Sequence, residues 1–247
     1  MSLSRDRYLT QVADESARLL ATDPADLGNS IPHIEGWTVG DVIGHTGWVA
    51  RYVALQQSAT PDQPVPRSAV PNPPAGAEVL AWASEAVAAL TEALEHSDPD
   101  TIRPSFAGPV AASWWVRRMA HELSMHRWDI DSATGTAAPI DAAVSVDGID
   151  EIFEVFVPTR MRFETLAGNG ETMHLHSTDQ DEGAGEWTAT LLPEAVEWDH
   201  SHSKADVAVR GTASDLLLVM WSRIPASRLE VFGDASLIDR WQEAAAF

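Results

Sequence analysis

The chain has no cysteine among its 247 residues. Disulfides, thiolate zinc sites, iron–sulfur clusters and cysteine nucleophiles are excluded. Any metal has to rest on His, Asp and Glu, and any thiol chemistry needs a sulfur brought in from outside. Lysine is nearly absent too: a single Lys204 stands against fifteen arginines. Guanidinium groups suit ion pairs and bidentate recognition of carboxylates, although a general preference for Arg codons gives the same composition. Positive charge is scarce overall, at 16 basic against 37 acidic residues and a net charge of −21. Such a chain repels phosphate backbones, so nucleic acid is not an expected partner, and the plain use of the charge is solubility. No uncharged apolar run reaches the ~18 residues of a membrane span, so no membrane association is expected. The stretch Met1-Ser2-Leu3-Ser4-Arg5-Asp6-Arg7 lacks the apolar core of a signal peptide, which makes the cytoplasm the expected location. No Gly-x-Gly-x-x-Gly follows a strand, and P-loop and Gly-x-Ser-x-Gly motifs are missing, so nucleotide and serine-hydrolase chemistry have no support.

What is present reads first as helices. Leu9, Val12, Ala13, Ala17 and Leu20 recur at helical spacing over residues 4 to 22. Thr38-Val39-Gly40-Asp41 is a capping-box-like start with Asp in the acidic position, opening a helix through His45 to about Gln57. Six prolines between residues 60 and 75 mark a connecting loop. A third helix is expected over 76–96, a loop from Pro99 to Pro109, and a fourth helix over 110–133 that stops at Gly135. Four helices joined by loops are most simply an antiparallel bundle, whose core is a natural place for a metal. An amphipathic linking helix over 141–160 follows. Alternation then takes over around Met173–Thr178, Trp187–Leu191 and Val207–Arg210, which predicts strands. A helix is expected over 212–223, capped by Thr212, then a short strand at 229–232 and a final helix over 234–244. The expected organisation is α+β: a helical bundle over 1–140 and a small α+β domain over 141–247.

Glu122 and His126 are four residues apart in the fourth helix, so they stack on one face. One further histidine would make three ligands with an open fourth position, the arrangement of a catalytic zinc site. The pair alone has a plainer explanation, an Arg118–Glu122 helical salt bridge with little to do with metal. His45, mid-helix among Ile43, Gly44 and Gly47, faces core or a cavity, and a hydrogen-bonded core histidine is the commoner role there. His121 points about 100° away from Glu122. His33 and His96, at loop or helix-end positions, carry no signal. A rival group is His174 and His176 on one strand face with His200 and His202 in Asp199-His200-Ser201-His202. These lie on hydrophilic faces beside loops, where solvated surface histidines are the expectation.

The residues also resemble a family. Trp37-Thr38-Val39-Gly40-Asp41-Val42-Ile43-Gly44-His45 looks like the entry of DinB-like metal-binding bundles. Phe106-Ala107-Gly108-Pro109, then Trp114-Trp115-Val116-Arg117-Arg118-Met119-Ala120-His121-Glu122 and His126-Arg127-Trp128-Asp129, resemble the mycothiol-dependent maleylpyruvate isomerase family. Gly211-Thr212-Ala213-Ser214-Asp215-Leu216-Leu217-Leu218 to Arg223, with Val231-Phe232-Gly233-Asp234 and Arg240-Trp241, is similar to that family's C-terminal α+β domain.

The resemblance implies a zinc ion, or another divalent metal, held by His45, Glu122 and His126, and mycothiol as the external thiol. It also implicates an arginine of the C-terminal domain, for which Arg223 is the candidate. Zinc lowers the pKa of a coordinated thiol. The implied reaction is thiolate addition to an activated double bond, rotation, and loss of the thiol to give the trans isomer; a related S-transferase would keep the thiol on the product. The implied partners are a small anionic substrate and a low-molecular-weight thiol. Arg118 or Arg223 is the candidate to bind the carboxylate, and Asp41 and Asp129 are candidates to orient ligand histidines. A zinc-dependent hydrolase on the same bundle and a non-catalytic metal- or ligand-binding module are the competing classes, and fold likeness alone does not choose among them. The oligomeric state is not legible.

Overall fold

The computed structural model describes residues 3–181 and 183–245 and, within them, all side chains but that of Phe163; Met1 and Ser2 of the stretch read above lie outside. The chain divides into two compact units, Leu3–Ala138 and the residues from Pro139 onward.

The first unit is built on four long helices: α1 (Arg5–Leu20), α2 (Val39–Gln56), α3 (Glu78–His96) and α4 (Ala112–Thr134). Two of the starts, those of α1 and α2, have a side-chain cap. The Ser4 side chain accepts from Arg7 N ahead of α1. Ahead of α2, the Thr38 hydroxyl accepts from Asp41 N and the Asp41 carboxylate accepts from Thr38 N at 2.8 Å, a complete capping box. Helix α4 ends at Gly135, whose φ of 74° suits a residue without Cβ. α2 packs on α3, and α1 on α4. Gly47 makes the first approach close: a Cβ there would lie 2.6 Å from the Trp82 ring and 3.0 Å from Ala83 Cα. Val12, Val53, Leu90, Leu94, Met119 and Leu123 fill the centre of one core cluster. Arg127, 1 % exposed, crosses the interior to Glu15 at 2.7 Å, with Asp131 at 3.2 Å on its other side.

The span from Pro99 to Pro109, expected as a loop, contains a β-hairpin, β1 (Ile102–Ser105) and β2 (Gly108–Ala111), with Pro104 opposite Pro109. The paired prolines remove ladder donors and make the sequence read as loop. Tertiary contacts compensate: Trp115 Nε1 donates to Pro104 O at 3.1 Å, and Arg103 Nη1 to Ala59 O at 3.0 Å.

The second unit opens with α5 (Ala142–Glu151), which passes into a π-helical stretch (Ile152–Phe156) and a last turn, α6 (Val157–Thr159). The expected single helix over 141–160 is thus interrupted. Pro158 has no N–H to donate to the carbonyl four residues back, and the chain leaves the α register just before it. After a short α7 (Phe163–Leu166) come β3 (Glu171–Ser177), β4 (Glu186–Leu191), β5 (Val196–Asp199), β6 (Val207–Gly211), α8 (Ala213–Met220), β7 (Glu230–Gly233) and α9 (Ser236–Ala245). The sheet order is β5-β4-β3-β6-β7, with β3–β6 parallel and the other pairs antiparallel. Met173, Leu175, Trp187, Ala189, Val207 and Val209 alternate inward from three strands and are essentially fully buried. The architecture is α+β: a helical N-terminal part, then a mixed sheet with helices. Among the described residues, no helix is long and apolar enough to cross a membrane.

Candidate metal centre

α4 carries Arg118, Glu122 and His126 along one stripe, because residues four apart share a face. α2 brings His45 to the same place from 77 positions away in sequence. His45 Nε2 lies 3.2 Å from Glu122 Oε1, and His126 Nε2 lies 3.3 Å from the same oxygen. The two imidazoles meet edge to face, 4.9 Å between centroids. One donor atom from each of the three residues falls within 4.8 Å of the others. Two imidazole nitrogens and a carboxylate oxygen converging in this way are a donor set for zinc or a neighbouring divalent ion.

The surrounding groups fix the orientation of the set. His126 turns Nδ1 to Asp129 Oδ2 at 2.9 Å, leaving Nε2 toward Glu122. Asp129 is fully buried, and its other oxygen meets His33 Nε2 at 2.7 Å. A carboxylate behind a ligating imidazole is the arrangement that sets ring orientation and basicity in metal sites. Glu122 Oε2 accepts from Arg118 Nη2 at 2.6 Å. Burial is the largest single influence and resists charge on both Glu122 and His126, yet their mutual attraction, the hydrogen bonds and the neighbouring charges together outweigh it. With the hydrogen bonds from His126 and His45 and the charge of Arg118, Glu122 is held well below the usual carboxylate range. His126, helped by Asp129, is pushed up to about 9.

Beside His45 opens a cleft of about 350 Å³ lined in part by Trp37, Asp41, Trp48 and Arg67. That is room for a small molecule. Arg67 lies over the Trp48 ring at 4.6 Å, and Trp37 meets His45 edge-on at 5.4 Å.

Of the residues singled out from sequence, His45, Glu122, His126 and Arg118 come together. Asp129 stands behind His126, whereas Asp41 caps α2 and borders the cleft. His121 points elsewhere and packs edge-on against Tyr8. Trp115 is core, Trp48 lines the cleft, and Trp114 packs against Phe106 and Trp115. Arg223 follows α8 in the second unit, where its Nη1 donates to Trp221 O at 3.1 Å. His33, which carries no signal in sequence, stands behind Asp129, and Arg67, not singled out from sequence, lines the cleft. Both sit outside the long helices, where no periodicity points at a site.

The two units match two family models. Residues 9–131 match the mycothiol maleylpyruvate isomerase N-terminal domain, and residues 143–240 the MDMPI C-terminal domain. No curated protein matches the chain. Among solved structures, a histidine-to-alanine mutant of the mycothiol-dependent maleylpyruvate isomerase aligns at 18% identity and TM-score 0.64, covering 93% of each chain. Another structure of the mycothiol-dependent maleylpyruvate isomerase aligns at 18% identity and TM-score 0.59, covering 89% of each chain. At that identity the structural likeness speaks for the fold. The two domain models, in order and spanning nearly the whole chain, speak for descent, and the chain belongs to the mycothiol-dependent maleylpyruvate isomerase family.

Proposed function

We propose that the protein is a zinc-dependent enzyme that uses an external low-molecular-weight thiol, mycothiol, on a small anionic substrate. The reaction is of the cis–trans isomerase type or that of a related thiol S-transferase. The observation that carries this is the convergence of His45, Glu122 and His126 beside a cleft, in a chain of this family without any cysteine. When bound, zinc lowers the pKa of a thiol and holds it as the nucleophilic thiolate.

The chain's own residues divide the remaining work. His45 and His126 offer Nε2 and Glu122 offers Oε1 toward one point. Asp129 fixes the His126 ring through Nδ1. Arg118 acts as a positioning residue in this reading, because its side chain is 8 % exposed and its guanidinium donates to Glu122 at 2.6 Å. Arg67, exposed at the cleft, supplies a cation for a substrate carboxylate. Arg223 remains the candidate from the C-terminal domain, and Arg223→Ala is expected to raise KM for an anionic substrate.

Metal analysis of the wild type beside His45→Ala and Glu122→Ala tests the centre, and turnover with and without added mycothiol tests the chemistry. Loss of one zinc equivalent in each variant and dependence of turnover on the thiol are expected. Turnover indifferent to mycothiol would sink the thiol mechanism and leave hydrolysis by the same centre as the reading to pursue.

A further inference from the structure

The second unit holds a cluster that the family reading does not use. In β3, residues two apart share a face, which aligns His174 with His176. The antiparallel register with β4 sets Glu186 directly opposite His176. The loop after β5 then brings in His202. Glu186 Oε1 lies 2.8 Å from His176 Nδ1 and 3.1 Å from His202 Nδ1. The His174 ring is 5.0 Å from that of His202 and 6.1 Å from that of His176, centroid to centroid. One donor atom from each of the four residues falls within 4.8 Å of the rest. His200, expected from sequence to join such a group, does not: its Nδ1 meets Glu186 O and its Nε2 meets Asp150 Oδ1.

The expectation of solvated surface histidines holds for His202 but fails for His174. His174 is 5 % exposed and Glu186 6 %. His174 Nε2 is buried with no hydrogen-bond partner. A buried polar nitrogen left in that state is costly, and native structures rarely leave one unexplained. The Glu186 carboxylate meets His176 and His202.

We propose that His174, His176, Glu186 and His202 form a second divalent-metal site, separate from the His45–Glu122–His126 centre. Three imidazole nitrogens and one carboxylate oxygen suit zinc or a neighbouring late first-row ion, and not calcium or magnesium, which take oxygen ligands. A metal at this point takes one nitrogen of the His174 ring as a ligand. It also fastens the His202 loop to two neighbouring strands. Burial holds the His174 imidazole below its ordinary pKa; Glu186 opposes the shift, and His202 and His176 add to it. A cleft of about 340 Å³, lined in part by His176, Glu186, His202 and Arg210, opens on the cluster and provides a way in from solvent.

The test is zinc titration of the metal-free full-length protein against a competing chelator, with metal content by mass spectrometry. The wild type, His45→Ala, His202→Ala and the double variant are compared. His202 is largely exposed on a loop, so its loss spares the fold. His45→Ala is expected to keep one equivalent that His202→Ala loses or binds at least about tenfold more weakly, and the double variant keeps none. Glu186→Gln is expected to behave as His202→Ala does. A His45→Ala protein that takes up no zinc, or a His202→Ala protein that binds as much as the wild type with unweakened affinity, overturns the proposal.

Discussion

The protonation of His126 makes metal loading at the first centre strongly pH-dependent. Burial works against charge on this ring, but Glu122 and Asp129 raise its pKa to about 9. A metal takes Nε2 only from the neutral imidazole, so protons and metal compete for it. At pH 7, about two units below that pKa, roughly one ring in a hundred is neutral, and apparent zinc affinity is expected to lie about 100-fold under its high-pH limit. Affinity should therefore climb about tenfold per pH unit between roughly pH 6.5 and 8, with at least one proton released per zinc bound. The metal-free protein should show the opposite trend. A folded pKa raised above the unfolded value of 6.5 gives stability that is complete below about 6.5 and lost as pH rises through about 9. For a ring this buried, the difference between 6.5 and about 9 corresponds to roughly 3 kcal/mol. Chelator competition at several pH values on the His202→Ala protein isolates this centre, and calorimetry in buffers of different ionisation enthalpy counts the protons. A flat affinity over that range, with no proton release, would refute the assignment of His126 as a charged partner of Glu122 that the metal displaces.

Three further changes have definite expected outcomes. Asp129→Asn removes the charge behind His126 Nδ1 and should weaken zinc binding by about 10–100-fold while lowering the imidazole pKa, read by chelator titration and by NMR of the ring protons. Arg127→Ala leaves Glu15 and Asp131 only the half-exposed Arg18 as a shared cation and should cost about 1–3 kcal/mol in urea unfolding; a loss under ~0.5 kcal/mol would mean that the network is solvated. Gly47→Ala gains about 0.5–1 kcal/mol of helix propensity, but overpacking against Trp82 and the Ala83 backbone costs about 1–3 kcal/mol, so net destabilisation is expected as a lower urea midpoint.

Sequence alone was enough where the cause is local. Thr38 and Asp41 cap α2 because a hydroxyl and a carboxylate three residues apart reach each other's amides. Gly135 ends α4 because it tolerates positive φ, and Glu122 and His126 share a face because of the helical period. The absence of cysteine settled which metal donors and which nucleophiles were possible. The β1–β2 hairpin was hidden by its own prolines and is held by Trp115 and Arg103 from elsewhere in the unit.

Tertiary structure decided everything that depends on two distant segments meeting. It put His45 against Glu122, and it set His33 behind Asp129 across 96 positions. It also turned four residues of a hydrophilic-looking strand pair and loop into a half-buried donor cluster. Pattern reads each strand as one polar face, and the pairing register determines what that face meets. Donor sets are made of distances, and sequence carries distance only within a helix turn or a strand step. Beyond that reach, the packing of α2 on α4 and the register of β3 on β4 bring the ligands together.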